Sequence, residues 1–480
     1  MREVFVSVSG ESVPGTTDLM FLGAALLLIS CSLEPPKPTK AQIAWHEREF
    51  IGFLHFTTNT FTDREWGQGD EAESVFNPTD FSASQIVGTA KKAGMKQLIL
   101  TCKHHDGFCL WPTKTTTHNV TRSPFKRDVV KLISDECRKQ GLAFGVYLSP
   151  WDRNNAYYGK PEYPRIYREQ LRELLTNYGS ISEVWFDGAN GGDGYYGGAR
   201  ETRKIDAATY YGWPETHALV RRLAPDAVMF SDAGPDVRWV GNESGYAGDP
   251  CWATYTPHGP NGEAPAPGQT KWQEGENGHR DGRFWIPAEC DVSIRPGWFW
   301  HESENDKVKS PDQLKELYFK SVGRGAVFLL NIPPDRRGRI HENDIKSLVG
   351  FRLLVDECFA RDLAGTAKTS PKSAMPLIDG NRRSHWNGNE VTLSWDRAIE
   401  FNTLRLREAI KFGQRIGSLE VSGWFEGRWR TLALVQSVGN CRLIQCEPVS
   451  TTRLRIRVTE SMGEAKLSEV GVFLDPNEAP

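Results

Sequence analysis

The sequence predicts an α/β protein: a (β/α)8-like barrel over residues 41–360, followed by a C-terminal antiparallel β-sandwich over residues 366–480. Three observations favour this fold. Short apolar runs alternate with amphipathic helical patterns in the first region, and polar motifs directly follow several of those runs. After residue 365, short alternating strands separated by turn residues replace that pattern. A chain of 480 residues is long enough for two domains, each with its own core.

The barrel strands are predicted from apolar, β-prone runs that read as buried on both faces. These runs lie at residues 98–100, 144–147, 184–186, 228–230 and 327–330. Helical patterns lie at 84–94, 127–140, 163–178 and 314–323. Strict alternation of strands and helices over about 300 residues favours a barrel. A doubly wound open sheet is the alternative, but the Gly-rich phosphate loop typical of that fold is missing from the sequence.

The C-terminal strands are short and often alternate apolar with polar residues. They lie at 391–395, 404–406, 418–421, 432–434 and 454–458. Packing against the barrel is the favoured role for this domain, and carbohydrate binding is the alternative.

Residues 1–40 are predicted to be a leader and linker. The apolar run 19–31 is too short to span a bilayer and has the length of a signal-peptide core. It ends in Leu28-Ile29-Ser30-Cys31, which resembles a bacterial lipobox. We therefore expect an exported protein, a periplasmic or outer-membrane lipoprotein of a bacterium, anchored to the membrane by lipid on Cys31. A buried helix is the alternative, but the Pro-rich segment 34–38 would cut it off from the fold.

The amino-acid composition indicates which classes of ligand the protein binds. The chain has 58 Lys and Arg against 61 Asp and Glu, a net charge of −3, which argues against nucleic acid. Several of the 16 Trp stand beside His, Asp and Arg, the mixture that suits a sugar with one apolar face and many hydroxyls. The nine Cys form no CxxC pair, so a zinc-ribbon or redox site is not expected. Cys441 and Cys446 are expected either to bridge or to be buried thiols.

The polar motifs after the strands carry a family resemblance. They lie at residues 52–56, 65–67, 104–108, 147–152, 184–189, 234–243 and 289–301. In this order they resemble glycoside hydrolase family 29, the α-L-fucosidases, over nearly the whole barrel. The last two resemble the subgroup that acts on α-1,3/4-linked fucose. The resemblance implies a retaining exo-hydrolase that removes terminal fucose from a fucosylated oligosaccharide or glycoconjugate without a cofactor.

The resemblance also implies the two catalytic carboxyls that glycoside hydrolysis requires. Asp187 matches the nucleophile, and Gly188 after it allows close approach to the backbone. Glu243 matches the acid/base, whose pKa nearby Asp187 and aromatic walls would raise. Glu289 is the competitor for that role.

Further residues match sugar-contacting positions. His55, His104 and His105 would hydrogen-bond the fucose hydroxyls, because neutral imidazole both donates and accepts. Ring contacts are expected from Trp66, Tyr147, Trp185 and Arg238; Glu289 is a further candidate facing the pocket, and Trp298 is expected on the aglycone side.

Two segments depart from the family pattern. Thr57-Thr58 stands where a Gly is usual, which is expected to shift the loop of His55. The Gly-rich segment 190–205 looks longer than in relatives and is expected to shape leaving-group specificity.

Two other functions stay open. A metal-dependent hydrolase would use His104, His105 and Asp106, but neighbouring residues on an extended chain point to opposite sides, so no metal is predicted. A non-catalytic glycan-binding protein would not need both Asp187 and Glu243.

Overall fold

A computed structural model describes residues 34–477 of the chain. The predicted lipidation site Cys31 lies outside the described residues, so the lipoprotein leader stays a prediction. Within 34–477, no helix is both long and apolar enough to cross a membrane.

Eight parallel strands close into a barrel in which each strand pairs with its neighbours along the chain and the last pairs with the first. They are β1 (Phe50–Leu54), β2 (Gln97–Lys103), β3 (Ala143–Leu148), β4 (Glu183–Trp185), β5 (Val228–Ser231), β6 (Val237–Trp239), β7 (Ala288–Ser293) and β8 (Val327–Asn331). Nearly every strand residue is buried, as expected for a sheet covered on both faces. The barrel prediction is confirmed, and the open sheet is excluded.

The described helices are α1 (Lys40–His46), α2 (Thr58–Thr62), α3 (Ala83–Lys92), α4 (Val129–Gln140), α5 (Tyr163–Asn177), α6 (Trp213–Leu223), α7 (Pro311–Ser321) and α8 (Glu342–Cys358). Side-chain caps fix where several begin: Ser310 caps α7 in a capping box, with Pro311 in the first turn. This cap starts α7 before the predicted residue 314.

Two barrel connections depart from the strand–helix alternation. Loop 232–236 joins β5 directly to β6, and residues 240–287 join β6 to β7 through 3-10 turns and one two-stranded hairpin. This long connection carries Glu243, Gly268 and Trp272. Its irregular backbone can fold over the open end of the barrel.

The barrel interior is filled by apolar side chains, including Phe53, Ile99 and Leu329, and Trp45 of α1 joins them from the N-terminal end. The amide of Gln42 on α1 donates to the carbonyls of Asp236 and Trp285, which fixes this closing helix. The C-terminal end of the barrel is therefore the end left for a site.

The C-terminal domain is one antiparallel sheet bent around an apolar core. Its strands are β9 (Lys368–Ser370), β10 (Trp386–Asn387), β11 (Glu390–Glu408), β12 (Ile416–Phe425), β13 (Arg428–Gln436), β14 (Arg442–Ser461) and β15 (Lys466–Phe473). The register between β11 and β14 shifts between Ser394 and Ile399, which lets the two long strands turn. The antiparallel prediction is confirmed.

This sheet packs on the barrel. Arg407 donates to Glu49 at 2.6 Å, and the Asn440 amide donates to the His46 carbonyl at 3.1 Å. Cys441 is buried in the barrel-side core, and both Cys441 and Cys446 are free thiols, so the disulfide alternative is wrong.

Candidate active site

A cleft with two adjoining lobes opens at the C-terminal ends of the strands. The inner lobe, about 160 Å³, is lined by Phe53, His55, Glu65, Trp66, His104, His105, Tyr147 and Trp298. The outer lobe, about 270 Å³, is lined by Gly188, Phe230, Asp232, Trp239, Gly268 and Trp272. The junction consists of the residues that line both lobes: Trp185, Asp187, Ala189, Glu243 and Asp291. The two carboxyl groups singled out in the sequence thus share one cavity.

Asp187 follows β4 and is held on both oxygens. The Tyr147 hydroxyl donates to Oδ2 at 2.8 Å, and the Ala189 N–H donates to Oδ1 at 2.7 Å. Nε2 of His105 lies 3.9 Å from Oδ2. The side chain remains 23% exposed, so this fixed carboxylate faces the cleft.

Glu243 stands at the junction on the β6–β7 connection. The indole N–H of Trp298 donates to its Oε2 at 3.2 Å. Although Glu243 is an exposed residue, the cleft walls partly desolvate its carboxyl and raise its pKa; the charges of Asp187 and Glu65 add to this, and the Trp298 hydrogen bond opposes it. A carboxyl with a raised pKa beside a second carboxyl in one cleft has the arrangement needed for acid–base work.

Three buried histidines form one wall of the inner lobe. Nδ1 of His55 bonds Oδ1 of Asn331 at 2.9 Å, and Nδ1 of His105 bonds the Ser149 hydroxyl at 2.7 Å. Burial lowers the pKa of His55 to about 3 and is the largest cause of the lowered pKa values of His104 and His105. The imidazoles are therefore neutral at neutral pH and able to hydrogen-bond hydroxyls.

Indole rings form the other surfaces of the inner lobe. Trp66, which is 51% exposed, stands edge-on to His105 at 5.1 Å and to Trp151 at 5.6 Å. The carboxylate of Glu65 accepts the backbone N–H groups of Trp298 and Phe299. Glu65 therefore fixes Trp298, which lies in the inner lobe against His55.

The floor of the junction is a stack of aromatic rings. Trp185 stacks on Phe230 at 4.0 Å and on Tyr147 at 5.3 Å. Its indole N–H donates downward to Glu289 at 2.9 Å.

Glu289 lies below this floor and not in the cleft, which corrects the expectation that it faces the pocket. Alternation along β7 points Glu289, Asp291 and Ser293 into the barrel at successive heights, about 7 Å apart along the strand. Glu289 is fully buried beside Glu183, and burial together with that neighbour raises its pKa well above the usual range. It binds Trp185 rather than a sugar.

Arg238 also lies outside the cleft, contrary to the expected ring contact. Its neighbours on β6, Val237 and Trp239, face the barrel interior and the outer lobe, so alternation turns Arg238 away. It is fully buried, donates to the Gly275 and Ile286 carbonyls, and lies over the Tyr255 ring. Its role is to tie the β6–β7 connection to the barrel.

Several residues of the cleft were not predicted from the sequence. Asp291 is buried at the junction, accepts the Trp239 indole N–H at 2.8 Å, and has a pKa raised well above its usual range by burial and by the Glu243 and Asp187 carboxyls. Asp232 accepts the Gly268 N–H and the Thr270 hydroxyl. The two-residue step from Glu289 was a signal for Asp291, and the position directly after strand β5 was a signal for Asp232. The sequence contains no comparable signal for Trp272.

The metal-hydrolase hypothesis does not fit the site. The Asp106 carboxylate accepts the hydroxyls of Thr57 and Thr58 and the Phe108 N–H, so it does not converge with the imidazoles. His104 and His105 both line the inner lobe, with rings 4.1 Å apart, because the chain leaves β2 before them. Thr57 and Thr58, which stand where a Gly is usual, thus connect the loop after His55 to the loop after His104 through their hydrogen bonds to Asp106.

Within residues 34–477, one group has the spacing of metal ligands, His258, Glu274 and His279. It lies on the β6–β7 connection and includes none of the residues of that hypothesis.

A parallel barrel whose open end carries two adjacent carboxyls, neutral imidazoles and indole walls defines a barrel glycoside hydrolase. The family model of alpha-L-fucosidase matches residues 38–351. The chain therefore belongs to the α-L-fucosidase family and is a glycoside hydrolase of that activity.

Relatives of known identity cover most of the chain. The alpha-L-fucosidase 1 of Arabidopsis thaliana is 40% identical over 92% of this chain and 88% of its own length. A glycoside hydrolase 29 family member from an unknown rumen bacterium matches with a TM-score of 0.84 and 40% identity, over 93% of this chain and 78% of that chain. A Ruminococcus gnavus GH29 fucosidase in complex with fucose matches with a TM-score of 0.79 and 28% identity, over 92% of this chain and 96% of that chain.

Proposed function

We propose that this fucosidase is a retaining exo-enzyme, with Asp187 as nucleophile and Glu243 as acid/base, acting on α-1,3/4-linked terminal L-fucose. The observation that carries the proposal is the junction, where both carboxyls line one cavity between two lobes. The inner lobe would hold fucose, because its imidazoles suit hydroxyls and its indoles suit the apolar face of a sugar.

In the first step, the Asp187 carboxylate attacks C1 of fucose and forms an ester as the glycosidic C1–O bond breaks. The proton of Glu243 passes to the leaving oxygen. Tyr147 and the Ala189 N–H hold the attacking carboxylate in place. Glu243 then takes a proton from water, the water oxygen bonds C1, and the ester bond to Asp187 breaks. Two inversions return fucose with its original anomeric configuration.

The outer lobe supports the linkage preference. Trp239 and Trp272, with ring centres 5.8 Å apart, offer apolar surface beside the carboxyl of Asp232. Such a surface suits the second sugar of a branched glycan. Trp272→Ala is expected to lower kcat/KM on an α-1,3/4-fucosylated trisaccharide about tenfold, through loss of roughly 1.4 kcal/mol of contact, and to change an aryl fucoside much less. Equal losses on both substrates would contradict this assignment.

Azide rescue tests the catalytic pair. Asp187→Gly is expected to lower kcat on an aryl α-L-fucoside by at least about 10³-fold, with azide restoring turnover to the β-fucosyl azide. Glu243→Gly is expected to lose about 10²- to 10⁴-fold on an unactivated fucoside and to give the α-fucosyl azide. The opposite azide anomers, or no rescue, would contradict the roles. A wild-type chain that binds fucose but does not turn over the aryl fucoside would favour the glycan-binding alternative.

A further inference from the structure

The C-terminal sheet presents a flat polar face on the side opposite its apolar core. Cross-strand register aligns Ser422 of β12, Arg455 of β14 and Thr392 of β11, while the intervening Val421 and Ile456 point into the core. The next row toward the β12–β13 turn contains Trp424 and Trp429 as direct cross-strand partners. We call these two rows, with Arg453, the distal face.

Two arginines of the distal face lie against its indole rings. Arg453 stands over Trp424 at 5.4 Å and Arg455 over Trp429 at 4.6 Å, and the two rings meet edge to face at 5.1 Å. Both rings are half-buried. Stacking of this kind orders a guanidinium while its in-plane N–H groups stay available to a ligand.

The charge of the distal face is not balanced. Neighbouring Arg430 and Arg457 pair with Glu426 and Glu420. For Arg453 and Arg455, by contrast, the described part of the chain offers no acidic partner within ion-pair distance. A local surplus of cations on a chain of net charge −3 points to an anionic ligand.

We propose that the distal face binds an acidic glycan, one that carries sulfate or carboxylate groups on its sugars. The guanidiniums of Arg453 and Arg455 would each bind one anionic group in a fork, and the indoles would contact the C–H faces of the sugars. A glycan fits better than a nucleic acid, because the face has only two unpaired cations and the Thr392 hydroxyl lies beside Arg455 in the cross-strand row. This inference does not depend on the catalytic roles proposed for the barrel.

Affinity electrophoresis of the full chain tests the proposal, with dextran sulfate as the probe and neutral dextran as its control. The wild-type chain should be retarded by dextran sulfate alone. Arg453→Gln/Arg455→Gln and Trp424→Ala/Trp429→Ala should each raise the apparent Kd at least about tenfold, a loss of roughly 1.4 kcal/mol. Arg457→Gln, on the same face but already paired with Glu420, is the matched control and should stay within about twofold, as expected of an exposed ion pair.

Aryl fucoside turnover reports on folding, since the distal face lies on a different domain from the cleft, and it should be unchanged in every variant. Three results would overturn the proposal: no retardation of the wild type, retardation that the double variants keep, or equal competition by single-stranded DNA of matched charge. The last would show a surface for nucleic acid or for any polyanion.

Discussion

The indole N–H of Trp298 donates to Glu243, and replacing Trp298 by Phe should change the pH dependence of catalysis in a defined direction. A donor to a carboxylate stabilises the ionised form and lowers its pKa, as this contact does for Glu243. In Trp298→Phe the pKa of Glu243 should therefore rise. Glu243 would keep its proton to higher pH, and the basic limb of kcat/KM should move upward.

The size of the effect follows from the geometry of the contact. A hydrogen bond to a charged group contributes about 1.5–3 kcal/mol at well-formed sites. This bond is 3.2 Å long and reaches an exposed residue, so solvent screening reduces it. A contribution below about 1 kcal/mol corresponds to at most about 0.7 of a pH unit, since one unit equals about 1.36 kcal/mol.

The assay is kcat/KM against pH with phenyl α-L-fucoside, whose poor leaving group requires protonation. The acid limb should not move. Trp66→Phe is the matched control, because Trp66 lines the same lobe and its ring contacts are with His105 and Trp151 rather than with Glu243. A downward shift in Trp298→Phe, or the same shift in both variants, would refute the reasoning.

Three further predictions follow from buried contacts. Glu289→Gln should keep aryl fucoside turnover within about tenfold of the wild type, because Glu289 lies beneath Trp185 outside the cleft. A loss as large as that of Glu243→Gln would contradict the proposal that Glu243, and not Glu289, is the acid/base. Arg153→Lys should raise KM about 5- to 30-fold with a smaller change in kcat, because the Arg153 guanidinium donates to the Gly67 carbonyl, the Gln68 side-chain amide and the Asp193 carbonyl, which lie around Trp66. An unchanged KM would contradict this. Lys103→Met should lower the free energy of unfolding, measured in urea, by about 3–5 kcal/mol, since it leaves the Asp152 carboxylate buried without its ion-pair partner. The double variant Lys103→Met/Asp152→Asn should recover part of that loss. No recovery would show that the broken ion pair is not the cause.

The barrel was predictable because its strands are uniformly apolar and its helices amphipathic, patterns that depend only on neighbours along the chain. The position of Asp187 followed in the same way, since a polar residue after a barrel strand must lie at the open end. The three histidines lie at the ends of β1 and β2 for the same reason.

The outer lobe was not predictable because it depends on how a long irregular segment folds back. Gly268 approaches Gly188 so closely that a Cβ on Gly268 would lie 2.2 Å from the Gly188 carbonyl oxygen, a contact between residues remote in sequence. The prediction that Arg238 faces the cleft was wrong because strand β6 has only three residues. So short a strand does not show from its sequence whether Arg238 or Trp239 points toward the cleft. The prediction that Glu289 faces the pocket was wrong for a related reason: strand residues that point to the same face lie at different depths of the barrel.

We propose above all that the Asp187 carboxylate forms an ester with fucose during turnover. Incubation with 2-deoxy-2-fluoro-L-fucosyl fluoride, followed by proteolysis and mass spectrometry, measures this directly. We expect one fluorofucosyl group per chain, on the peptide that contains Asp187, and none on Asp187→Ala. A label on a peptide that contains Glu243 or Asp291 instead, or turnover without any trapped ester, would contradict it.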